Sequence, residues 1–393
     1  MKRIVLKSGK QRPLLRRHPW IFSGAIKKRD PGIAEGDLVQ VVDNQGRVLA
    51  TGHFQIGSIA VRVLAFEACV VDGEFWRKRI RQAWALRQNL GLVDNPETTV
   101  FRLVNAEGDQ LPGLIVDYYH DTAVIQAHSV GMHRARHAIA AALQDVLTGR
   151  LTGIYDKSSA SLPAKAPLES SDGWLWGESG TGLVRENGLQ FQVDWAAGQK
   201  TGYYVDQREN RRLLADYARG RRVLNMFGYT GGFSLYALRG EARHVDTVES
   251  SARAMALIQR NMELNFSRSA ERHRGIQADG FQFLKEMQGR YDLMVLDPPA
   301  FAKHQRALAN ALTGYTRINT QALAKIAPGG VLFTFSCSQV VAREAFRQAV
   351  FTAAARSGRA VRILHQLSQP ADHPVSIYHP EGEYLKGLVL QVE

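Results

Sequence analysis

Short apolar runs, each ending in a polar or acidic residue, recur through the second half of the chain. They lie at about 222–225, 243–248, 274–278, 291–296, 330–336, 360–366 and 386–391, with helical periodicity between them. Strands alternating with helices predict a doubly wound α/β sheet of seven strands over residues 191–393. Residues 1–70 carry a different pattern. Brief apolar stretches, Ile4–Leu6, Asp37–Val42, Arg47–Leu49 and Ile59–Leu64, are separated by turn residues, with Asp43-Asn44-Gln45-Gly46 as a hairpin loop. This predicts a small β-rich module.

Residues 71–190 read as a second, α+β module. Trp76, Ile80, Ala83 and Trp84 form one apolar stripe of a helix over Asp72–Leu90, with Asp72 as cap and Gly91 as stop. The stripe is expected to be core. Strands are predicted at Val100–Val104, Leu114–Tyr118, Ala123–His128 and Ile154–Lys157, and a helix at Arg134–Leu147. Gly and polar residues dominate Ser158–Gly182, and Asn187-Gly188 splits Leu183–Asp194 into a hairpin.

Bulk composition narrows the partners. A hydrophobic content of 45% with 22% charged residues describes a globular chain with ample core. The net charge of +13 favours a polyanionic partner, nucleic acid first. Membrane is disfavoured, since no apolar run approaches the roughly 18 residues of a span. The N-terminal MKRIVLKSGK is basic but has no apolar core, so it does not read as a signal peptide. Cys69 and Cys337 are too far apart to suggest a zinc site or a disulfide framework, and the expectation is a cytoplasmic protein without metal. In the first module, Arg16, Arg17 and Trp20 are candidates for gripping RNA phosphate and stacking a base. The competing reading makes Trp20 core and the arginines a solvated face.

The densest chemistry lies in Arg222–Leu238, RVLNMFGYTGGFSLYAL. A strand ending at Asn225 meets a turn with Gly228, Gly231 and Gly232, then an apolar helix. Glycines at such a turn let backbone approach a ligand in the crevice at the strand ends. The spacing is not G-x-G-x-x-G, which sets the hydride-cofactor fingerprint aside. The next apolar runs deliver Glu249, Asp279 and Asp297-Pro298-Pro299 in turn. This layout resembles a class I S-adenosylmethionine methyltransferase. Asn225, Phe227, Tyr229, Thr230 and Gly231 are then expected around the methionine part of the donor. Glu249 is expected on the ribose, Asp279 on the adenine amine, and Asp297 beside both donor and target.

A closer resemblance spans nearly the whole chain. HPWIF (His18–Phe22), AGQKTGYYVDQRENR (Ala197–Arg211), LNMFGYTGGFS (Leu224–Ser234), VESS (Val248–Ser251), LDPPAF (Leu296–Phe301) and FSCS (Phe335–Ser338) are similar to the large-subunit ribosomal RNA methyltransferase I family. The resemblance implies an N-terminal PUA domain, a central α/β module and a seven-stranded Rossmann-like catalytic domain, often as a homodimer. It implies S-adenosyl-L-methionine as donor, S-adenosyl-L-homocysteine as by-product, and 5-methylcytosine in 23S ribosomal RNA, free or in an assembling large subunit. Lys200, Asp206, Gln207 and Arg208 match the upstream motif and are expected to close the donor or substrate pocket, although a structural ion pair serves Arg208 equally.

Methylating cytosine C5 requires a nucleophile that adds at C6 and makes C5 electron-rich. Cys337, at the end of the apolar run Val331–Phe335, is the expected thiolate, activated by a helix beginning near Gln339. Asp297 and the stiff Pro298 backbone are expected to bond the base at N3 and N4. Phe301 stands between base stacking and packing, and Lys303 between phosphate and solvent. Ser250 is expected to cap the helix after Glu249. Two other functions compete: methylation of guanine N7 or an exocyclic amine, which needs no thiol, and a non-catalytic assembly factor.

Overall fold

The computed structural model describes residues 1–163, 171–178, 182–266, 270–302 and 304–393. The chain forms two compact units. The first comprises Met1–Gly188, Val193–Val205 and Ala371–Gly382; the second comprises Leu189–Gln192, Asp206–Pro370 and Glu383–Glu393.

The first unit holds two large sheets. One has six strands in the order Trp20–Phe22, Ile59–Ala65, Val48–Phe54, Leu38–Val42, Lys2–Leu6, Ile26–Arg29. Ile4, Leu6, Val39, Val41, Val61 and Val63 alternate inward to form its core. The hairpin at Asp43 closes as its sequence suggests: the Asp43 carboxylate accepts the Gln45 and Arg47 N–H groups at 2.9 Å, and Gly46 takes φ +85°. Trp20–Phe22 and Ile26–Arg29 are too short to show alternation, and the pattern missed them.

The other sheet runs Gly173–Gly177, Gly153–Asp156, Thr122–Ala127, Leu114–Tyr119, Val100–Asn105. Gly173–Gly177 lies in a stretch that reads as loop. The helix Gly73–Asn89 starts where Asp72 accepts the Phe75 N–H at 3.0 Å, and it buries Trp76 and Ile80 as core. The helix predicted over Arg134–Leu147 is two, Val130–Arg134 and Arg136–Val146, and Ser129 caps the first through the Met132 N–H. Fully buried Arg87 pairs with Asp109 at 2.5 Å and donates to the Asp372 carbonyl at 2.6 Å, tying Ala371–Gly382 into this unit.

The second unit is built on seven strands: β1 (Arg222–Met226), β2 (His244–Glu249), β3 (His273–Gln277), β4 (Leu293–Leu296), β5 (Gly330–Ser336), β6 (Val361–Leu367) and β7 (Lys386–Val392). Their order is β3-β2-β1-β4-β5-β7-β6. β1 to β5 are mutually parallel and β7 runs antiparallel to β5 and β6. Helices Leu308–Lys325 and Arg343–Ser357 bury Tyr315, Ile318, Phe346 and Val350 against Leu296 and Leu332. The strand order reverses between β1 and β4, so their carboxyl ends open a crevice on one edge. No helix among the described residues is long and apolar enough to cross a membrane.

Candidate functional site

β1 delivers Asn225 to that edge, and the chain then turns through three left-handed residues, Phe227 (φ +60°), Tyr229 (φ +46°) and Gly231 (φ +83°). Glycine adopts this region freely, whereas Phe227 and Tyr229 are held there at a cost. The Tyr229 N–H donates to Glu249 Oε2 at 3.0 Å and the Gly228 N–H to the Val248 carbonyl at 3.0 Å. Gly228 is glycine for a different reason from the one its sequence suggests. A Cβ there would lie 2.3 Å from Thr247 Cγ2, so its bareness makes room for β2.

Half-buried Glu249 accepts a second backbone donor, the Ser251 N–H at 2.9 Å, and so joins the turn to the next helix. Ser251, not Ser250, caps helix Ala252–Asn265, accepting the Ala254 N–H at 3.3 Å. Asn225 is 1% exposed and donates to Ser234 Oγ at 2.9 Å, while its Oδ1 is buried without a hydrogen bond. A bound donor would relieve that cost. Thr230 and Gly231 are buried within the turn. The Phe227 ring leaves no room for a side chain at Gly280, where a Cβ would come within 2.7 Å, and so reaches the loop after β3. Asp279 is exposed there and caps helix Gly280–Glu286 through the Gln282 N–H at 2.8 Å. An orphaned acceptor, a strained turn and a pre-oriented carboxylate fit an adenosyl ligand with an amino-acid tail.

Asp297 stands at the end of β4 and accepts Gln207 Nε2 at 3.0 Å. Gln207 is oriented by Asn210, whose Nδ2 donates to its Oε1 at 2.6 Å. Nearby, Asp206 accepts the Tyr384 hydroxyl at 2.7 Å. Burial, then the Asp206 carboxylate, push the Asp297 carboxyl up to about 7, against the Gln207 bond and the Arg211 charge. Arg211 runs beneath the turn: a Cβ on Gly232 would sit 2.8 Å from its Cδ. Arg208 is buried and pairs with Glu209 at 3.2 Å.

Cys337 comes directly after the last residue of β5, partly exposed, with Sγ 3.9 Å from the Pro298 carbonyl oxygen. Thiol, prolyl carbonyl and Asp297 therefore share the ends of adjacent strands. The helix expected near Gln339 begins at Arg343, with Ala342 as its cap residue, so its N-terminus starts several residues beyond the thiol. A cation near the thiol, among the described residues, is Lys386 on β7, which donates to the Ser338 carbonyl at 2.7 Å. Pro298 is buried. Phe301 is packed: its ring lies 4.5 Å from Tyr315 and 5.8 Å from Phe281, and a Cβ on Gly314 would press within 3.0 Å of it. Lys303 lies outside the described residues.

Arg16, Arg17, Trp20 and Lys200 belong to the first unit. Arg16, Arg17 and Lys200 are exposed, and Arg17 places its guanidinium 5.1 Å from the Phe66 ring. Trp20 is not an open stacking platform. Its indole N–H donates to Glu107 at 2.7 Å, and Arg62 and His379 lie 5.2 and 4.2 Å from its ring. Sequence reasoning gave no role to Asn210, Arg211, Tyr384 or Lys386. The signal for Lys386 was present: a lone charge in the apolar run Leu385–Leu390.

A family model of S-adenosylmethionine-dependent methyltransferases matches residues 140–386, and one of a PUA-like domain matches residues 4–66. The chain is 40% identical to the ribosomal RNA large subunit methyltransferase I of Tolumonas auensis, over 99% of this chain and 98% of that protein. It is likewise 40% identical to the protein of that name from Aeromonas salmonicida, over 99% and 98%. Among solved structures, a candidate SAM-dependent methyltransferase from Streptococcus mutans has a TM-score of 0.86 at 22% identity, covering 100% of both chains. That likeness shows the fold.

Proposed function

Because the chain belongs to the S-adenosylmethionine-dependent methyltransferases, in the family of ribosomal RNA large subunit methyltransferase I, we infer that it forms 5-methylcytosine in large-subunit ribosomal RNA through a covalent bond from Cys337. The substrate is 23S RNA in the cytoplasm, free or in an assembling subunit. S-adenosylmethionine supplies an electrophilic methyl group at the crevice. Asn225, Phe227, Tyr229, Thr230, Gly231 and Glu249 would hold it, with Asp279 at the adenine end.

The observation that carries this reading is the partly exposed Cys337 thiol beside the Pro298 carbonyl, at the strand edge shared with the glycine turn. The thiolate adds at C6, the ring electrons move to C5, and C5 takes the methyl group as the S–CH3 bond breaks and S-adenosyl-L-homocysteine is released. The C5 proton then passes to solvent water, its electron pair restores the double bond, and the thiolate is expelled. Asp297, with a carboxyl near neutrality, is suited to donate a hydrogen bond at N3 while charge builds on the ring. Pro298 would present its carbonyl to the exocyclic amine. Exposed Arg16, Arg17 and Lys200 would meet phosphates, Arg208 would brace the pocket from within, and a target in a helix would have to be flipped out.

The test is Cys337→Ala with unmodified 23S RNA, reading nucleosides by mass spectrometry and donor binding by calorimetry. Loss of 5-methylcytosine by at least about 1,000-fold with donor binding retained is expected. Transfer that survives, or a product modified at guanine N7 or an amine, overturns the reading.

A further inference from the structure

Lys386 is 2% exposed at the start of a strand that is otherwise nearly all apolar. A lysine is rarely so buried unless its charge is used. In the β5–β7 ladder it lies opposite Ser336, so its side chain reaches past the end of β5 at the Ser336–Cys337–Ser338 turn. Nζ donates to the Ser338 carbonyl and to the Tyr384 carbonyl, each at 2.7 Å. An ammonium has three donors, so two carbonyls do not exhaust it.

Among the described residues, three charged or ionisable neighbours act on Lys386: Cys337, Arg343 and Glu383. Burial pushes Lys386 down to about 8; Cys337 and Glu383 raise it and Arg343 lowers it. Glu383 and Arg343 pair with each other, with Arg343 Nε 3.1 Å from Glu383, which largely cancels their effect. Also near the thiol, the Tyr315 hydroxyl bonds Ser338 Oγ at 3.0 Å and is pushed up, chiefly by burial, so it stays neutral. Lys386 is therefore a cation whose charge couples to the thiol.

We propose that Lys386 is a positioning residue for Cys337: anchored on the carbonyl of the residue after the cysteine, its ammonium stabilises the thiolate before addition to C6 and again on expulsion. A cation beside a thiol favours its ionised form and makes it a better leaving group. The same ammonium holds the Tyr384 carbonyl, and Tyr384 bonds Asp206, so the thiol and the Asp206–Asp297 pair are braced from one strand. The inference rests on the reading of Cys337 as nucleophile.

The experiment is the rate of Cys337 alkylation by iodoacetamide against pH, in the full chain carrying Cys69→Ser so that one thiol reports. Lys386→Met should move the midpoint upward by about one unit and slow the reaction near pH 7 roughly tenfold, and Lys386→Arg should restore most of it. An unchanged midpoint in a folded Lys386→Met protein overturns the proposal, as does an arginine variant as slow as the methionine one. Should Lys386→Met not fold, coupling is read from the other side. Cys337→Ala should lower the titration midpoint of Lys386, followed by the NMR shift of its ε-carbon, and no movement overturns the proposal. If Cys337→Ala still makes 5-methylcytosine, the nucleophile reading fails whatever the alkylation shows. If Cys337 is essential but its alkylation ignores Lys386, this inference alone falls.

Discussion

Asp297 shows how much one side chain owes to neighbours far away in the chain. Its neutral form is favoured in the fold, with a carboxyl near 7 against an ordinary value of 3.8. The folded state then binds more protons than the unfolded one between about pH 4 and pH 7, so stability falls through that window as pH rises and levels off above it. Asp297→Asn should abolish this loss. Urea denaturation without donor should find the two proteins alike near pH 4 and the variant more stable by roughly 2 kcal/mol at pH 8, at about 1.4 kcal/mol per unit discounted for partial exposure. Parallel pH profiles would show that Asp297 ionises normally. The placement of Asn225, Glu249, Asp297 and Cys337 at or beside strand ends was legible, because each stands where an apolar run stops. Gln207 and Arg211 lay in a motif that carried no geometry, and Lys386 lay in no motif at all.

Among the elements, the turn after β1 owes its shape to packing as much as to ligand access. Gly228 sits against Thr247 of β2, while the left-handed positions fall on Phe227, Tyr229 and Gly231. Gly228→Ala should therefore push the turn off β2, costing about 1–3 kcal/mol in stability. Donor affinity should fall at least several-fold, because the Tyr229–Glu249 bond at 3.0 Å shifts with the turn. Thermal melts and calorimetry check both, and a stable variant with unchanged donor affinity would remove packing as the reason for that glycine. Seven strands were predictable from apolar runs alone. Cap positions were legible only in part: Asp72 caps its helix as its sequence suggests, but Ser250 and Ser251 are chemically equivalent and backbone direction chooses between them.

For the whole molecule, a net charge of +13 coexists with buried Arg87–Asp109 and half-buried Arg102–Asp117 ion pairs. Those arginines serve the fold. Exposed Arg16 and Arg17 can serve electrostatic binding at the surface. Affinity for ribosomal RNA should fall by about 1,000-fold or more between 50 and 200 mM salt, and Arg16→Glu with Arg17→Glu should lower the salt slope by about two. Fluorescence anisotropy against salt measures this. An unaltered slope would move the RNA anchor away from the first β-rich module.

By itself the sequence determined the strand-then-acid rhythm, the glycine turn and the candidate thiol. These are local features, written by burial of short strands and by the residues that end them. Tertiary structure alone decided that Lys386 reaches Ser338, that Gln207 meets Asp297, and that Ala371–Gly382 joins the first unit. Each of these depends on strand order and pairing register, which many apolar runs satisfy equally until side chains from distant segments must share one interior.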